Sequence, residues 1–159
     1  MFDQLFEYRL RLLTQLEQQP AEVAALLAAL PESAWYQPRS LTGRSLHQLA
    51  AHVRDLETLA FLPRLRRIMT EDRPILEAFA SHDWSSSGYR PDEPMTSILA
   101  NWSQARAEVL DLLPTVSQAA WSRTSFHSPS GPRTLQWWAE RTLKHVREHL
   151  LDPLLAGQS

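Results

Sequence analysis

The chain has 159 residues, of which 43% are hydrophobic and 21% are charged, so it can bury a hydrophobic core and is not a disordered tail. Its net charge of −2, with both signs interspersed, gives no reason to expect a nucleic acid as a partner. Cysteine is absent, which excludes disulfides, a cysteine nucleophile and thiolate metal ligands, and leaves histidine and carboxylate as the available ligands.

The amino-terminal segment, Met1 to Leu16, predicts a helix, because its apolar residues repeat at helical spacing. Charged residues interrupt them, so the segment is not a signal peptide, and no apolar run approaches membrane length. We therefore expect a cytoplasmic protein without a membrane partner, in which residues 1–159 form one domain. The helical pattern resumes at Ala21 after Pro20, which predicts a first helix to Leu30 that is broken or kinked.

A long second helix is predicted to begin after Ser45 or Thr42, either of which can cap it, and to end near Met69. Pro63 should bend this helix, because proline removes one of its backbone hydrogen bonds. Its buried face contains Leu46, Leu49, Val53, Leu56 and Ala60, with His52 at the edge of that face.

The loop from Thr70 to Pro94 allows one short helix near Ile75 to Phe79. Long loops in compact domains are often functional. We therefore predict that Trp84 and Tyr89, together with the His127 to Pro132 connection, form the wall of a pocket.

The remaining pattern is also helical. It predicts a third helix from Met95 to Leu113, a single turn from Ser117 to Trp121, and a fourth helix that is capped by Thr134 and ends near Leu151. No segment has a convincing strand period, so the predicted class is all-α with four principal helices and no sheet.

Two histidines stand four residues apart in the fourth helix, so His145 and His149 leave the same side of it. Side chains at this spacing have Cβ atoms about 5–6 Å apart, close enough to share one metal ion. Both lie on the face that carries the core-forming residues, where an unpaired imidazole would lose its water without compensation. They are therefore either metal ligands or core histidines that are hydrogen bonded to carbonyls or side chains.

His52 is the candidate third ligand. Three histidines would leave the fourth tetrahedral position for water or substrate, which is typical of a catalytic zinc site. Such an ion could activate water or an added thiol. Among the other histidines, His47 is predicted to lie at the surface, and His82 and His127 lie in loops that could border the site.

Two charged residues interrupt the apolar faces. Glu57 falls in the buried sector of the second helix and Arg106 in that of the third, and a buried charge needs a partner. They either pair with each other or with loop backbone, or Glu57 acts as a base and Arg106 holds an anionic substrate. Trp137 falls on the polar sector of the fourth helix, which suggests a subunit contact or a covering loop.

The order of these motifs resembles the DinB/YfiT-like superfamily along nearly the whole chain. The matching motifs are a first helix ending in Leu30-Pro31-Glu32, the run His52-Val53-Arg54-Asp55-Leu56-Glu57, Pro63-Arg64, Glu71-Asp72-Arg73-Pro74, Asp83-Trp84, Tyr89, Arg106, Trp121, His127 followed by Gly131, and Thr134-Leu135 leading to His145 and His149. The resemblance implies an up-down-down-up four-helix bundle that often forms a homodimer, with a divalent metal held by His52, His145 and His149.

Two classes of function remain open. The superfamily that the chain resembles includes thiol-dependent transferases and metal-dependent hydrolases. The first class of function is therefore a metal-dependent enzyme acting on a small molecule. It would use zinc, or nickel or iron, since imidazole suits all three, and a low-molecular-weight thiol as a possible cosubstrate. The second is a non-catalytic metal-binding or stress-associated dimeric scaffold. An open metal position with an adjoining pocket distinguishes the two classes.

Overall fold

The structure, a computed structural model, describes residues 2–39, 42–79, 88–113 and 117–156. Its helices are α1 (Phe2–Ala28), α2 (Leu46–Leu56), α3 (Leu62–Thr70), α4 (Met95–Leu112), α5 (Leu135–Val146) and α6 (Asp152–Ala156), with 3₁₀ turns at Glu32–Tyr36 and Ala120–Ser122. The π turns Glu57–Phe61 and Arg147–Leu151 join α2 to α3 and α5 to α6. The α4 helix packs against α1 and α2, and α5 packs against α1 and α3. None of the described helices is long and apolar enough to cross a membrane.

Local sequence signals account for the helix ends. The Ser45 hydroxyl accepts a hydrogen bond from the backbone N–H of Gln48, the Gln48 side-chain oxygen accepts one from the Ser45 N–H, and this capping box begins α2. Thr134 caps α5 in the predicted way by accepting from the Trp137 N–H. Both predicted caps are therefore confirmed.

Prolines inside the helices change the local geometry without ending the helices. The π turns each end two residues before a proline, Pro63 or Pro153, and the wider turn accommodates a ring that cannot donate a hydrogen bond. The sequence predicts a first helix that is broken or kinked at Pro20, and a break is excluded because α1 continues to Ala28. Pro20 has no N–H to donate to the Leu16 carbonyl, which instead accepts a hydrogen bond from Arg106 Nη1 at 2.7 Å.

A three-stranded sheet contradicts the prediction that the chain has no strands. Its strands are β1 (Ile75–Leu76), β2 (Thr124–His127) and β3 (Gly131–Thr134); β1 is parallel to β2, and β2 is antiparallel to β3. The short helix predicted near Ile75 is therefore also wrong. These strands have at most four residues, which is too short for a period of two to stand out in the sequence.

A buried polar layer separates two apolar clusters of the core. One cluster contains Val23, Val53 and Trp102, and the other contains Leu16, Phe61 and Val109. Between these positions on their helices lie Gln19, Glu57 and Arg106, each no more than 2% exposed. Glu57 and Arg106 pair with each other, with Arg106 Nε 2.5 Å from Glu57 Oε1 and Nη2 3.0 Å from Oε2. This is the structural alternative predicted for the two residues.

We expect Arg106→Met to lower the free energy of unfolding by about 3–5 kcal/mol, because it leaves the buried Glu57 carboxylate without its cation. Urea denaturation followed by circular dichroism measures the change. The double variant Arg106→Met/Glu57→Gln should be more stable than Arg106→Met alone. As a matched control, Arg66→Met removes an exposed ion pair with Glu108 and should leave stability nearly unchanged. Equal effects of Arg106→Met and Arg66→Met would contradict the assignment.

Candidate metal centre

Three imidazoles converge at one side of the buried polar layer. His52 comes from the middle of α2, His145 from the last turn of α5, and His149 from the π turn that follows it. The ring centroids are 5.1 Å apart for His52 with either partner, and 4.4 Å apart for His145 and His149. His52 and His145 are buried, and His149 is half-buried. The sequence therefore placed the pair and its partner on the correct helix faces.

The nitrogen geometry suits a divalent ion. One nitrogen from each ring lies within 4.8 Å of the other two, and Nε2 of His52 is 3.3 Å from Nε2 of His145. In a tetrahedral zinc site, bonds of about 2.0–2.1 Å place neighbouring nitrogens about 3.3–3.4 Å apart. This pair is therefore already at ligand spacing.

Burial keeps the imidazoles neutral, which is the form that binds metal. Burial, together with the smaller effect of the neighbouring His149, lowers the pKa of His52 to about 4 and that of His145 to about 2. The pKa of His149 is also lowered, mainly by burial. At neutral pH each ring is therefore uncharged and has one nitrogen with a lone pair that can bind a metal.

A pocket of about 480 Å³ opens beside the three histidines. Its walls are largely aromatic and apolar, with two arginines and a fourth histidine, and comprise Leu56, Phe61, Arg64, Ala78, Phe79, His127, Pro129, Ser130, Trp137, Trp138 and Arg141. No aspartate or glutamate lines it within the parts of the chain that the structure describes. The cluster is therefore accessible from a site large enough for a small molecule.

The remaining candidate pocket residues lie in several parts of the structure. His127 lines the pocket, but it is buried in β2 rather than lying in a loop. Tyr89 does not line the pocket, because its hydroxyl is 2.6 Å from Nδ1 of His47. Trp84 and His82 lie outside the described residues. Glu57 and Arg106 do not line the pocket.

Two further predictions concern a histidine and a tryptophan. His47 is fully buried rather than at the surface, because Tyr89 and the Glu93 carbonyl, at 2.6 Å from Nε2, cover the outer face of α2. Trp137 is half-buried, and the guanidinium carbon of Arg133 lies 4.8 Å from its ring centroid. A covering segment, one of the two predicted explanations, is thus provided by β3.

Sequence reasoning missed the roles of Arg64, Phe61 and Trp138 in the pocket. Phe61 and Trp138 had the helical spacing of core residues, which they also are. Arg64 had no distinguishing signal other than its position after Pro63, because a single arginine on a helix is usually solvated.

Comparison with known proteins identifies the architecture. A family model described as the DinB superfamily matches residues 15–152. The chain is also similar in structure to YfiT from Bacillus subtilis, described as a probable metal-dependent hydrolase with an unusual four-helix bundle topology. The TM-score is 0.78 at 18% sequence identity, over 92% of this chain and 86% of that one. This similarity confirms the predicted up-down-down-up four-helix bundle. No curated protein matches the chain.

Acid should destabilise the metal-free protein. The pKa of His52 and His145 falls from 6.5 to about 4 and about 2 on folding, so the unfolded state binds more protons below a pH of about 6.5. The free energy of unfolding should therefore decrease as the pH falls from about 6.5, by roughly 2 kcal/mol per histidine at a pH of about 5. Urea denaturation of chelator-treated protein at several pH values measures this. His145→Gln should show a shallower dependence, and an unchanged slope would contradict the prediction.

Proposed function

The chain belongs to the DinB superfamily, and because three neutral imidazoles converge beside an open pocket, we propose that it is a divalent-metal-dependent enzyme acting on a small molecule. His52, His145 and His149 hold the ion. The convergence of three imidazole nitrogens carries this proposal, because all lie within 4.8 Å of one another and the 3.3 Å between two Nε2 atoms matches neighbouring ligands of one tetrahedral ion. Zinc is the favoured ion, and nickel and iron are the alternatives.

The reaction we propose is hydrolysis, or transfer of a low-molecular-weight thiol to an electrophile. A bound divalent ion supplies Lewis acidity and generates a nucleophile from water or thiol near neutral pH. YfiT is described as a probable metal-dependent hydrolase, which supports the first reaction. The chain has no cysteine, so a reacting thiol would have to enter as a cosubstrate.

The chain's own residues would position the substrate and limit access of water. Phe61, Phe79 and Trp138 provide apolar surface next to the histidines. Trp138 is fixed by the hydrogen bond from its indole nitrogen to Ser125 Oγ at 3.0 Å. Preorganised walls of this kind hold a substrate at the reacting centre, which contributes to catalysis through orientation.

We expect one metal ion per chain and a large loss of affinity in each of His52→Ala, His145→Ala and His149→Ala. Removing a ligand should weaken binding by more than the roughly 10–100-fold that follows loss of a group supporting a ligand. Titration calorimetry with zinc and elemental analysis measure the affinity and the stoichiometry. His47→Gln is the matched control, because His47 is buried but bonded to Tyr89 and Glu93 instead. Metal affinity in His52→Ala equal to that of the parent would rule out the three-ligand site.

We expect chelation to abolish turnover and leave the helical circular dichroism signal largely intact, because the two apolar clusters fold the bundle without the ion. Activity is screened with small esters and amides, and with glutathione and 1-chloro-2,4-dinitrobenzene, before and after zinc or nickel is restored. The variant His149→Ala, which lacks one proposed metal ligand, is the metal-deficient control and should also be inactive. Activity that persists after complete chelation, or a fourth metal position filled by a protein side chain, would contradict the proposal.

A further inference from the structure

Arg64 lies on the pocket wall beside the three histidines. Its guanidinium carbon is 4.8 Å from the ring centroid of Trp138 and 6.0 Å from that of Phe61, so the charge rests on aromatic faces. Its Nη2 donates to the Glu77 carbonyl at 2.9 Å. No carboxylate from the described ranges lies within the 4.0 Å that defines an ion pair.

Neighbouring arginines are neutralised in ways that Arg64 is not. Arg66 pairs with Glu108, Arg67 with Glu71, and Arg141, which is also on the pocket wall, with Glu148. Burial lowers the pKa of Arg64, since its charge has lost part of its hydration and has gained no counterion among the described residues. A guanidinium held on a tryptophan by one carbonyl bond keeps several N–H donors for a ligand.

His127 provides a second, independent indication of a ligand. It is only 9% exposed, and its ring meets that of Trp138 edge-on with centroids 5.1 Å apart. Its Nδ1 is hydrogen bonded to Ser130 Oγ. Its Nε2 is buried and has no hydrogen-bond partner in the described part of the chain. A buried polar atom of this kind normally has a partner.

The charged side chains that line the pocket are both cations, Arg64 and Arg141, and no acidic residue in the described segments lines it. Arg141 is paired with Glu148, so Arg64 supplies the unbalanced positive charge among the described lining residues. Three neutral imidazoles would also leave the full charge of a divalent ion uncompensated. The pocket therefore favours an anion on electrostatic grounds, and its aromatic walls favour an apolar body attached to that anion.

We propose that Arg64 and His127, which both contact Trp138 on the pocket wall, form a carboxylate-binding subsite, and that the substrate is a small organic carboxylate with an apolar body. A guanidinium can present two of its N–H donors in one plane, and this geometry matches the two oxygens of a carboxylate. When the Ser130 hydroxyl donates to Nδ1 of His127, the proton of the ring is on Nε2, which then donates to the same carboxylate. Identifying this ligand as the substrate rests on the proposed function, whereas carboxylate binding itself does not need the metal.

The test measures binding of benzoate to metal-free protein by titration calorimetry, with neutral benzamide as the matched ligand. The parent should bind benzoate at least about tenfold more tightly than benzamide, and Arg64→Gln should weaken benzoate binding about tenfold or more. His127→Phe should weaken it severalfold. Arg66→Gln removes an equal charge two residues further along the same helix, on a face outside the pocket, and should bind benzoate as the parent does. Thermal unfolding of each variant verifies that it is folded.

Equal benzoate affinities for Arg64→Gln and Arg66→Gln would overturn the subsite, as would equal binding of benzoate and benzamide, or no saturable binding of benzoate. The ligand comparison uses only the parent, so it holds even where a variant fails to fold. Zinc affinity is measured on the same proteins. Normal zinc binding without an Arg64 effect would reject the subsite alone, whereas an Arg64 effect without zinc binding would reject the proposed function alone.

Discussion

The buried guanidinium of Arg106 constrains the arrangement of the whole bundle. It donates to Glu57 after α2, and to the Leu16 carbonyl and Gln19 of α1, and Gln19 in turn donates to the Leu143 carbonyl of α5. Arg106 of α4 is thus linked directly to α1 and to the end of α2, and through Gln19 to α5. A shift of α1 or α2 relative to α4 would remove an acceptor from a buried cation, which costs several kcal/mol. The register that satisfies Arg106 also holds His52 and His145 in contact, because they share helices with Glu57 and Leu143.

Proline shapes both sides of the candidate metal centre. In each π turn the N–H that follows bonds five residues back, from Leu62 to Glu57 and from Asp152 to Arg147. A π turn has one residue more between its hydrogen-bonded groups than an α-helical turn. This extra residue rotates the helix surface at two positions, where Glu57 is buried in the bundle and where His149 lines the pocket. π turns of this kind are common at functional sites, where they redirect side chains without ending a helix. Pro20 needs no such turn, since Arg106 occupies the carbonyl that it leaves open.

The features that the sequence predicted are local or periodic, and the features that it missed depend on distant segments. Helical spacing placed the three histidines and the Glu57–Arg106 pair on buried faces, and the caps at Ser45 and Thr134 follow from nearest neighbours. The burial of His47 depends on a loop more than forty residues away. Likewise, β1 forms only because the Phe126 N–H reaches the Pro74 carbonyl, at 2.9 Å. Neither contact leaves a pattern in its own segment.

Electrostatic interactions couple the two species that we propose to bind at the centre, the divalent ion and the organic carboxylate. Arg44 disfavours a positive charge on His52, and Arg141 does so on His145, in addition to the effect of burial. The same cations would oppose a divalent ion that gains no negative charge from three imidazoles. An organic carboxylate at Arg64 would offset part of this repulsion. Because such coupling is reciprocal, the ion would in turn strengthen binding of the carboxylate. Because three neutral imidazoles would leave the positive charge of the divalent ion uncompensated, the proposed centre favours an anionic substrate.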